Sequence, residues 1–303
     1  MRIAFITPTR NRPAHLDRML QSLAAQSRQP SQVIVIDAGD ASKFDATRQP
    51  DGLPVEYVRW TEAPTSALQR NAGIAQLRDD IDLVCFFDDD QELHPDAVEK
   101  MLQFWESASA DIVAASFNEA TYEDRRTLFW RRLGLGALLG LYSRKPGRVA
   151  RSGWHSLYGK VDRNTECEWL SSKALVVRRN LLNTYQFDPF FEGYSYLEDL
   201  EFTYGLSRHG RLMIVADALF DHHQPPRGAD FNWHDFGRTE VRNRLYFVRK
   251  HGLSVPRCYL GLLIRLGMTL GEALFKLDRN ARRRAAGNAE ELTAKHAKNA
   301  KED

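Results

Sequence analysis

An apolar run from Ile81 to Phe87, broken only by Asp82, ends abruptly in Asp88-Asp89-Asp90. Such a run reads as a buried strand that delivers acids at its carboxyl end, where open α/β sheets place their ligand sites. Directly after it, His94-Pro95-Asp96 opens a helical pattern with Val98, Met101, Leu102 and Trp105 on one face. In an extended chain Asp88 and Asp90 point the same way, so both can reach one hard cation. An acidic turn after a strand is also a common solvated feature, so the weight rests on what else the chain brings to that edge.

Taken in order, the chain brings a good deal. Ile3 to Thr7 is a strand ending at Pro8, and Pro13 starts a helix with Leu16, Met19, Leu20 and Leu23 as its buried stripe. Val33 to Asp37 is a second strand ending in an acid, Val55 to Trp60 a third, and Ala67 to Leu77 a helix despite Gly73. This alternation, with connections long enough for crossovers, predicts a mostly parallel sheet. Its strands end in Thr9-Arg10-Asn11, Asp37 and Asp88–Asp90 at one nominal edge, which implies one site. Further strands are expected over 111–116, 169–177 and 212–220, with a short helix from Arg178 and a longer one over 197–208. The strand ending at Phe220 leads to Asp221-His222-His223, where alternation sends the two imidazoles to opposite sides. Ser195-Tyr196-Leu197-Glu198 fits a capping box, so Glu198 is expected to close the helix while Asp199 points elsewhere.

Composition adds charge placement. The apolar (43%) and charged (27%) fractions are those of a globular protein, and the net charge is +2. That small sum hides +7 within residues 121–165 and +9 within 236–284. Basic excess confined to two segments predicts a local anionic partner rather than general stickiness, and no nucleic acid is expected. Cys85, Cys167 and Cys258 lack metal-ligand spacing and read as reduced cytosolic thiols. Met1 to Thr7 is too short for a signal peptide, and no uncharged run reaches the roughly 20 residues of a membrane span.

Four motifs stand in the first third: Ile6-Thr7-Pro8-Thr9-Arg10-Asn11-Arg12, Val35-Ile36-Asp37-Ala38-Gly39-Asp40, Gln69-Arg70-Asn71-Ala72-Gly73 and Phe87-Asp88-Asp89-Asp90. Phe187-Asp188-Pro189-Phe190-Phe191, Tyr196-Leu197-Glu198-Asp199-Leu200-Glu201 and His222 follow. In this order and spacing they resemble the family 2 glycosyltransferases of the GT-A fold, of the type that builds bacterial cell-surface polysaccharides. Ala38, Asp40 and Pro189 depart from the family's usual residues.

The resemblance implies an α/β, Rossmann-like, mostly parallel central sheet flanked by helices. The catalytic domain would span 1–235, its nucleotide-sugar half about 1–105 and its acceptor half about 106–235, with 236–303 a basic amphipathic helical extension and polar tail. It implies a metal-dependent, inverting hexosyl- or deoxyhexosyl-transferase using a nucleotide-diphosphate sugar and Mn²⁺ or Mg²⁺. Asp90 would ligate the metal with Asp88 and His222, and Asp88 or Asp89 would hold the ribose or a metal-bound water. Asp37 would bind the base, Arg70 would face the nucleotide, Pro8, Thr9 and Arg10 would complete the donor site, and Asp199 would be the general base.

Two other functions compete. A sugar-nucleotide pyrophosphorylase should carry a glycine-rich loop after the first strand, and Pro8 to Pro13 contains no glycine. A non-catalytic sugar-nucleotide-binding relative should have lost one of Asp88–Asp90, Asp199 or His222, and all are present.

Residues 256–284 suggest where such an enzyme works. Arg265, Thr269, Glu272, Lys276 and Arg279 form a narrow polar stripe on a helix otherwise rich in leucine, and Arg282-Arg283-Arg284 follows. The pattern is that of an interfacial helix on an anionic membrane, with Arg265 and Glu272 opposing a true span. Residues 128–142, basic and apolar in the glycine-punctuated stretch 121–165, read as a mobile surface element and a second contact. The expected setting is the cytoplasmic face of the membrane, peripherally bound, with a glycan or lipid-linked acceptor. The competing expectation is that both segments pack on the domain or form a homo-oligomer interface.

Overall fold

Alternation within the strands decides the layers. In the computed structural model, which describes residues 1–40, 49–63, 65–122, 134–223 and 231–299, successive strand residues enter opposite cores. The strands are β1 (Ile3–Thr9), β2 (Gln32–Asp37), β3 (Val55–Arg59), β4 (Leu83–Phe87), β5 (Gln91–Leu93), β6 (Ile112–Glu119), β7 (Thr165–Cys167), β8 (Ala174–Arg178) and β9 (Arg211–His222). Phe5, Val33, Val35, Cys85 and Phe87 face one core, with Leu20 of α1 (Pro13–Ala24) and Met101 of α3 (Ala97–Ser107). Ile6, Ile34, Ile36, Val84 and Phe86 face the other, with Ala67 of α2 (Ser66–Ile74) and Phe202 of α5 (Glu198–Leu206). Both faces are covered, which is why these strands read as continuous apolar runs. Each buried phenylalanine contributes about 1.5–3 kcal/mol.

The sheet runs β3-β2-β1-β4-β8-β6-β9-β5, with β7 beside β9. β3, β2, β1 and β4 are parallel, as are β6 and β9, while β8 lies antiparallel between β4 and β6. Antiparallel β8 begins at the edge where β4 and β6 end, so its first turn joins theirs. Gly73 is explained by packing: a Cβ there would lie 2.3 Å from Ile6 Cγ2, so α2 sits on β1 only because that side chain is missing.

Three details differ from the sequence reading. β8 starts at Ala174 rather than Trp169, because the Thr203 hydroxyl engages both the N–H and C=O of Leu170 at 3.0 Å in place of a ladder. β5 and β7, three residues each, are too short for periodicity to reveal. The capping box at Ser195 is absent. Leu197 is the N-cap, left-handed at φ 75°, and the Ser195 hydroxyl donates to Phe191 O instead. Glu198 turns away to Arg70.

By its contacts the chain forms two compact units, Met1–Arg125 with Leu157–Pro225, and Arg126–Ser156 with Pro226–Asp303. The second contains α4 (Gly134–Leu138), α6 (Trp233–Lys250), α7 (Val255–Phe275) and α8 (Arg279–Asn299). Residues 134–156 thus group with the C-terminal helices, while 126–133, which include Leu128 to Leu133, lie outside the described residues. The chain after Arg284, expected as a polar tail, is helical up to Asn299, and α8 buries Ala285, Asn288 and Leu292. Glu240 of α6, fully buried, accepts from Arg284 of α8 at 2.6 and 3.0 Å and faces Arg265 of α7 at 3.5 Å.

One carboxylate thereby ties three helices and inverts α7. Arg265 and Thr269 of the polar stripe turn inward, and Leu260, Leu263, Ile264, Leu270, Leu274 and Phe275 turn out.

Candidate active site

In the first unit the carboxyl ends of β1, β2, β4, β6 and β9 and the start of β8 converge on one edge, as sheets of this kind require. Asp88-Asp89-Asp90 follow β4 in a turn, anchored where Asp88 N–H donates to Lys173 O at 3.0 Å. The turn sends the three carboxylates to three places.

Asp89, 4% exposed, accepts from the Thr9 hydroxyl at 2.7 Å and Arg12 at 3.2 Å. Burial pushes its carboxyl up to about 6 against those two partners. Asp88 takes Arg70 Nη2 at 2.7 Å and remains partly open. Asp90 Oδ1 lies 3.7 Å from His222 Nε2, with Arg12 at 3.4 Å from its other oxygen. Burial and then Asp88 raise the Asp90 carboxyl. Acids gathered this way favour a cation between them.

Arg70, placed by α2 and only 3% exposed, spans the site. Besides Asp88 it reaches Glu198 at 3.2 Å and lies over the Phe187 ring at 5.3 Å. Its neighbours hold the frame: Gln69 donates to the carbonyls of Thr9 and Ile36, and Asn71 brackets the backbone of Phe187. Glu198 also accepts from the Ser66 hydroxyl. Asp199, next on α5, accepts from Leu200 N–H at 2.7 Å and from Ser171. Burial raises both Glu198 and Asp199, with Asp199 adding to the rise at Glu198 and Asp88 to that at Asp199.

Asp37 accepts from Gly39 N–H at 2.6 Å, an Asx turn closing β2, while Asn11 accepts from Asp40 N–H at 2.7 Å. Pro8 and Thr9 lie at the end of β1, and Arg10 is exposed beyond it. His222 and His223 diverge: His222 faces Asp90 and Glu119, while His223 pairs with Glu92 at 3.3 Å.

Asp88, Arg70, Glu198 and Asp199 therefore stand together, as do Asp89 with Thr9 and Asp90 with His222. Among the described residues, no hydrogen bond or ion pair ties the Asp37 or Arg10 side chain to these groups. Glu119, Lys173 and Arg12 also belong to this edge, and sequence reasoning missed them. The signal for Glu119 was present, an acid at a strand's carboxyl end like Asp37, but the strand was expected to stop at Ser116, three residues early.

Known proteins match this architecture. The model of glycosyl transferase family 2 matches residues 4–167. A Bacillus subtilis relative named as an uncharacterized glycosyltransferase, YwdF, is 28% identical over 126 residues, 41% of this chain and 45% of its own length. The match thus spans less than half of that relative. Among solved structures, a mannosyltransferase from Pyrobaculum calidifontis in complex with GDP-Man and Mn²⁺ superposes with a TM-score of 0.56 at 16% identity, covering 96% of this chain and 87% of that one. S. aureus TarS 1-349 in complex with UDP-GlcNAc gives 0.54 at 17% identity, covering 91% and 73%. The fold is shared with both, and with more than half of its length matched by the family model, the chain belongs to glycosyl transferase family 2.

Proposed function

We propose that the chain transfers a hexosyl or deoxyhexosyl group from a nucleotide-diphosphate sugar to an acceptor hydroxyl, with Mn²⁺ or Mg²⁺ held at Asp90 and His222. The observation that carries this reading is the approach of Asp90 Oδ1 to His222 Nε2, 3.7 Å apart at the strand-end edge. One carboxylate oxygen and one imidazole nitrogen form a donor set that suits Mn²⁺. Among the described residues no three His, Cys, Asp or Glu side chains gather as a metal cage, so Asp90 and His222 would hold the cation as an open site. A cation bound there supplies Lewis acidity and charge neutralisation to the departing diphosphate. The donors held by the two structural neighbours, GDP-Man and UDP-GlcNAc, support a nucleotide-sugar substrate.

The protein's own groups divide the remaining work. Asp88, fixed by Arg70, offers its open side to the ribose. Asp37, with one oxygen engaged by Gly39, keeps the other for a ring N–H of the base. Asp199 accepts the acceptor's proton in a single displacement with inversion. Asp90→Ala is expected to lower turnover about a hundredfold, measured as donor hydrolysis and transfer across a nucleotide-sugar panel with Mn²⁺ or Mg²⁺. Full activity of folded protein in excess chelator would overturn the metal assignment.

The acceptor we infer is lipid-linked, met at the cytoplasmic face of an anionic membrane during cell-surface polysaccharide synthesis. Helix α7 is long and apolar enough to cross a membrane, and only 28% of its most apolar stretch is buried. Its outward leucines, with Phe275 at 92% exposure and Leu138 of α4 at 83%, are flanked by exposed Arg279, Arg282 and Arg283. Arg265 and Glu272 favour a helix lying in the interface over one spanning it. Each surface arginine should add about 1 kcal/mol of attraction to anionic lipid.

Co-sedimentation with phosphatidylserine vesicles checks this. Leu263→Glu with Phe275→Glu, or Arg282→Glu with Arg283→Glu, should release the protein, whereas Arg284 is excluded from the test because it serves Glu240. Intact protein remaining in the supernatant at low salt would favour a soluble acceptor.

A further inference from the structure

His222 has two ring nitrogens, and only one can meet a metal. Its Nε2 faces Asp90, while Nδ1 faces Glu119 Oε1 at 3.1 Å. Glu119 is the last residue of β6 and is mostly buried; Lys173, at the turn into β8, pairs with its other oxygen. The backbone of His222 is fixed as well, its N–H donating to the Thr121 hydroxyl at 3.0 Å. No motif of the family resemblance includes Glu119.

We propose that Glu119 is a positioning residue for the metal site, setting the tautomer of His222. A carboxylate can only accept, so its contact with Nδ1 requires a proton there. In the neutral ring that leaves the lone pair on Nε2, directed at Asp90. Two electron-rich atoms facing each other at 3.7 Å repel unless a cation stands between them. The pairing of Glu119 with His222 therefore prepares Nε2, beside Asp90, to accept a cation.

Lys173 offers the opposing influence. Its ammonium lies 3.4 Å from Nδ1 and would favour a lone pair on that atom. The Glu119 contact is shorter, and Lys173 has the second Glu119 oxygen to donate to, so a proton on Nδ1 gives Glu119 Oε1 a donor, whereas the alternative sets Oε1 against a lone pair at 3.1 Å. Lys173 in turn holds Glu119 in place. Outer partners of this kind typically change metal affinity about 10–100-fold when removed.

The inference rests on the metal reading above, but its first test needs no metal. Histidine ¹⁵N chemical shifts of the full chain, recorded metal-free near pH ~9 where free imidazole is neutral, report the tautomer directly. His222 should carry its proton on Nδ1 in the wild type and in Glu119→Gln, whose amide oxygen still accepts. In Glu119→Ala it should move toward Nε2–H, the form free histidine prefers. Mn²⁺ titration followed by electron spin resonance, with UDP or GDP present, should then show a loss of about 10–100-fold in Glu119→Ala and a smaller loss in Glu119→Gln. Wild-type protein with the proton on Nε2 would overturn the proposal whatever the variants do. So would a folded Glu119→Ala with wild-type tautomer, or one with Mn²⁺ affinity within about twofold of wild type. If the wild type shows the expected tautomer but binds no Mn²⁺, the metal reading fails and Glu119's role toward a metal fails with it, while the tautomer assignment stands.

Discussion

Asp199→Asn is expected to lower sugar transfer by about 10²–10⁴-fold while leaving donor affinity within about twofold, because it removes basicity at nearly constant shape. Asp199 lies in the first turn of α5, next to the carboxylate that Arg70 holds, and its own contacts are Leu200 N–H and Ser171. Burial outweighs these contacts and the nearby charge of Arg70, and raises its proton affinity. A general base must be ionised. With its carboxyl raised, turnover should fall on the acid side at a pH above the ordinary aspartate range, and that limb should vanish in the residual activity of the Asn variant. Steady-state rates over pH, with calorimetry for the donor, check both parts. Loss of donor binding along with turnover would move Asp199 to the donor site.

The largest effect on stability should come from Arg70→Met. The side chain is 3% exposed and neutralises Asp88 and Glu198 together, so its removal leaves two carboxylates facing each other without a cation. Breaking a buried pair from one side costs about 3–5 kcal/mol, and this change breaks two at once. The pH dependence follows from Glu198, whose folded carboxyl is raised by burial and then by Asp199 even with Arg70 present. The folded state therefore binds more protons than the unfolded one, and stability falls as pH rises from the ordinary glutamate range through the raised one. Without Arg70 that window extends further upward, so the variant should be most compromised at alkaline pH. Urea unfolding at several pH values checks it; a variant within about 1 kcal/mol of wild type at pH 8 would show that the pairs are not worth their geometry.

The sheet was legible because burial on both faces writes an uninterrupted apolar run into each strand. Ile3 to Thr7, Val33 to Asp37 and the run before Asp88 all announce themselves that way. The strand-end acids were legible for the complementary reason, since an acid after such a run has few places to go. What stayed hidden depends on side-chain direction. Nothing in Ser195-Tyr196-Leu197-Glu198 distinguishes a glutamate closing its own helix from one reaching across to Arg70, because the choice is made by a left-handed Leu197. The inward turn of Asp89 likewise depends on Thr9, eighty residues away in sequence. In α7 only Arg265, Thr269 and Glu272 of the expected stripe lie on the helix, which ends at Phe275 before Lys276 and Arg279, and the inward turn of Arg265 is decided by Glu240 on another helix.

The approach to α5 also bears on how this site can change over time. Gly193, Ser195 and Leu197 all have left-handed backbone, at φ 62°, 52° and 75°. At most such positions a glycine would relax the chain and a stabilised lineage would drift toward it. Leu197 has no such exit, because its side chain is 2% exposed and glycine would trade backbone strain for an empty volume in the core. The residue that aims Asp199 is thus caught between two penalties. Relief requires a compensating change among its neighbours first, so the approach to Asp199 resists change by any single substitution.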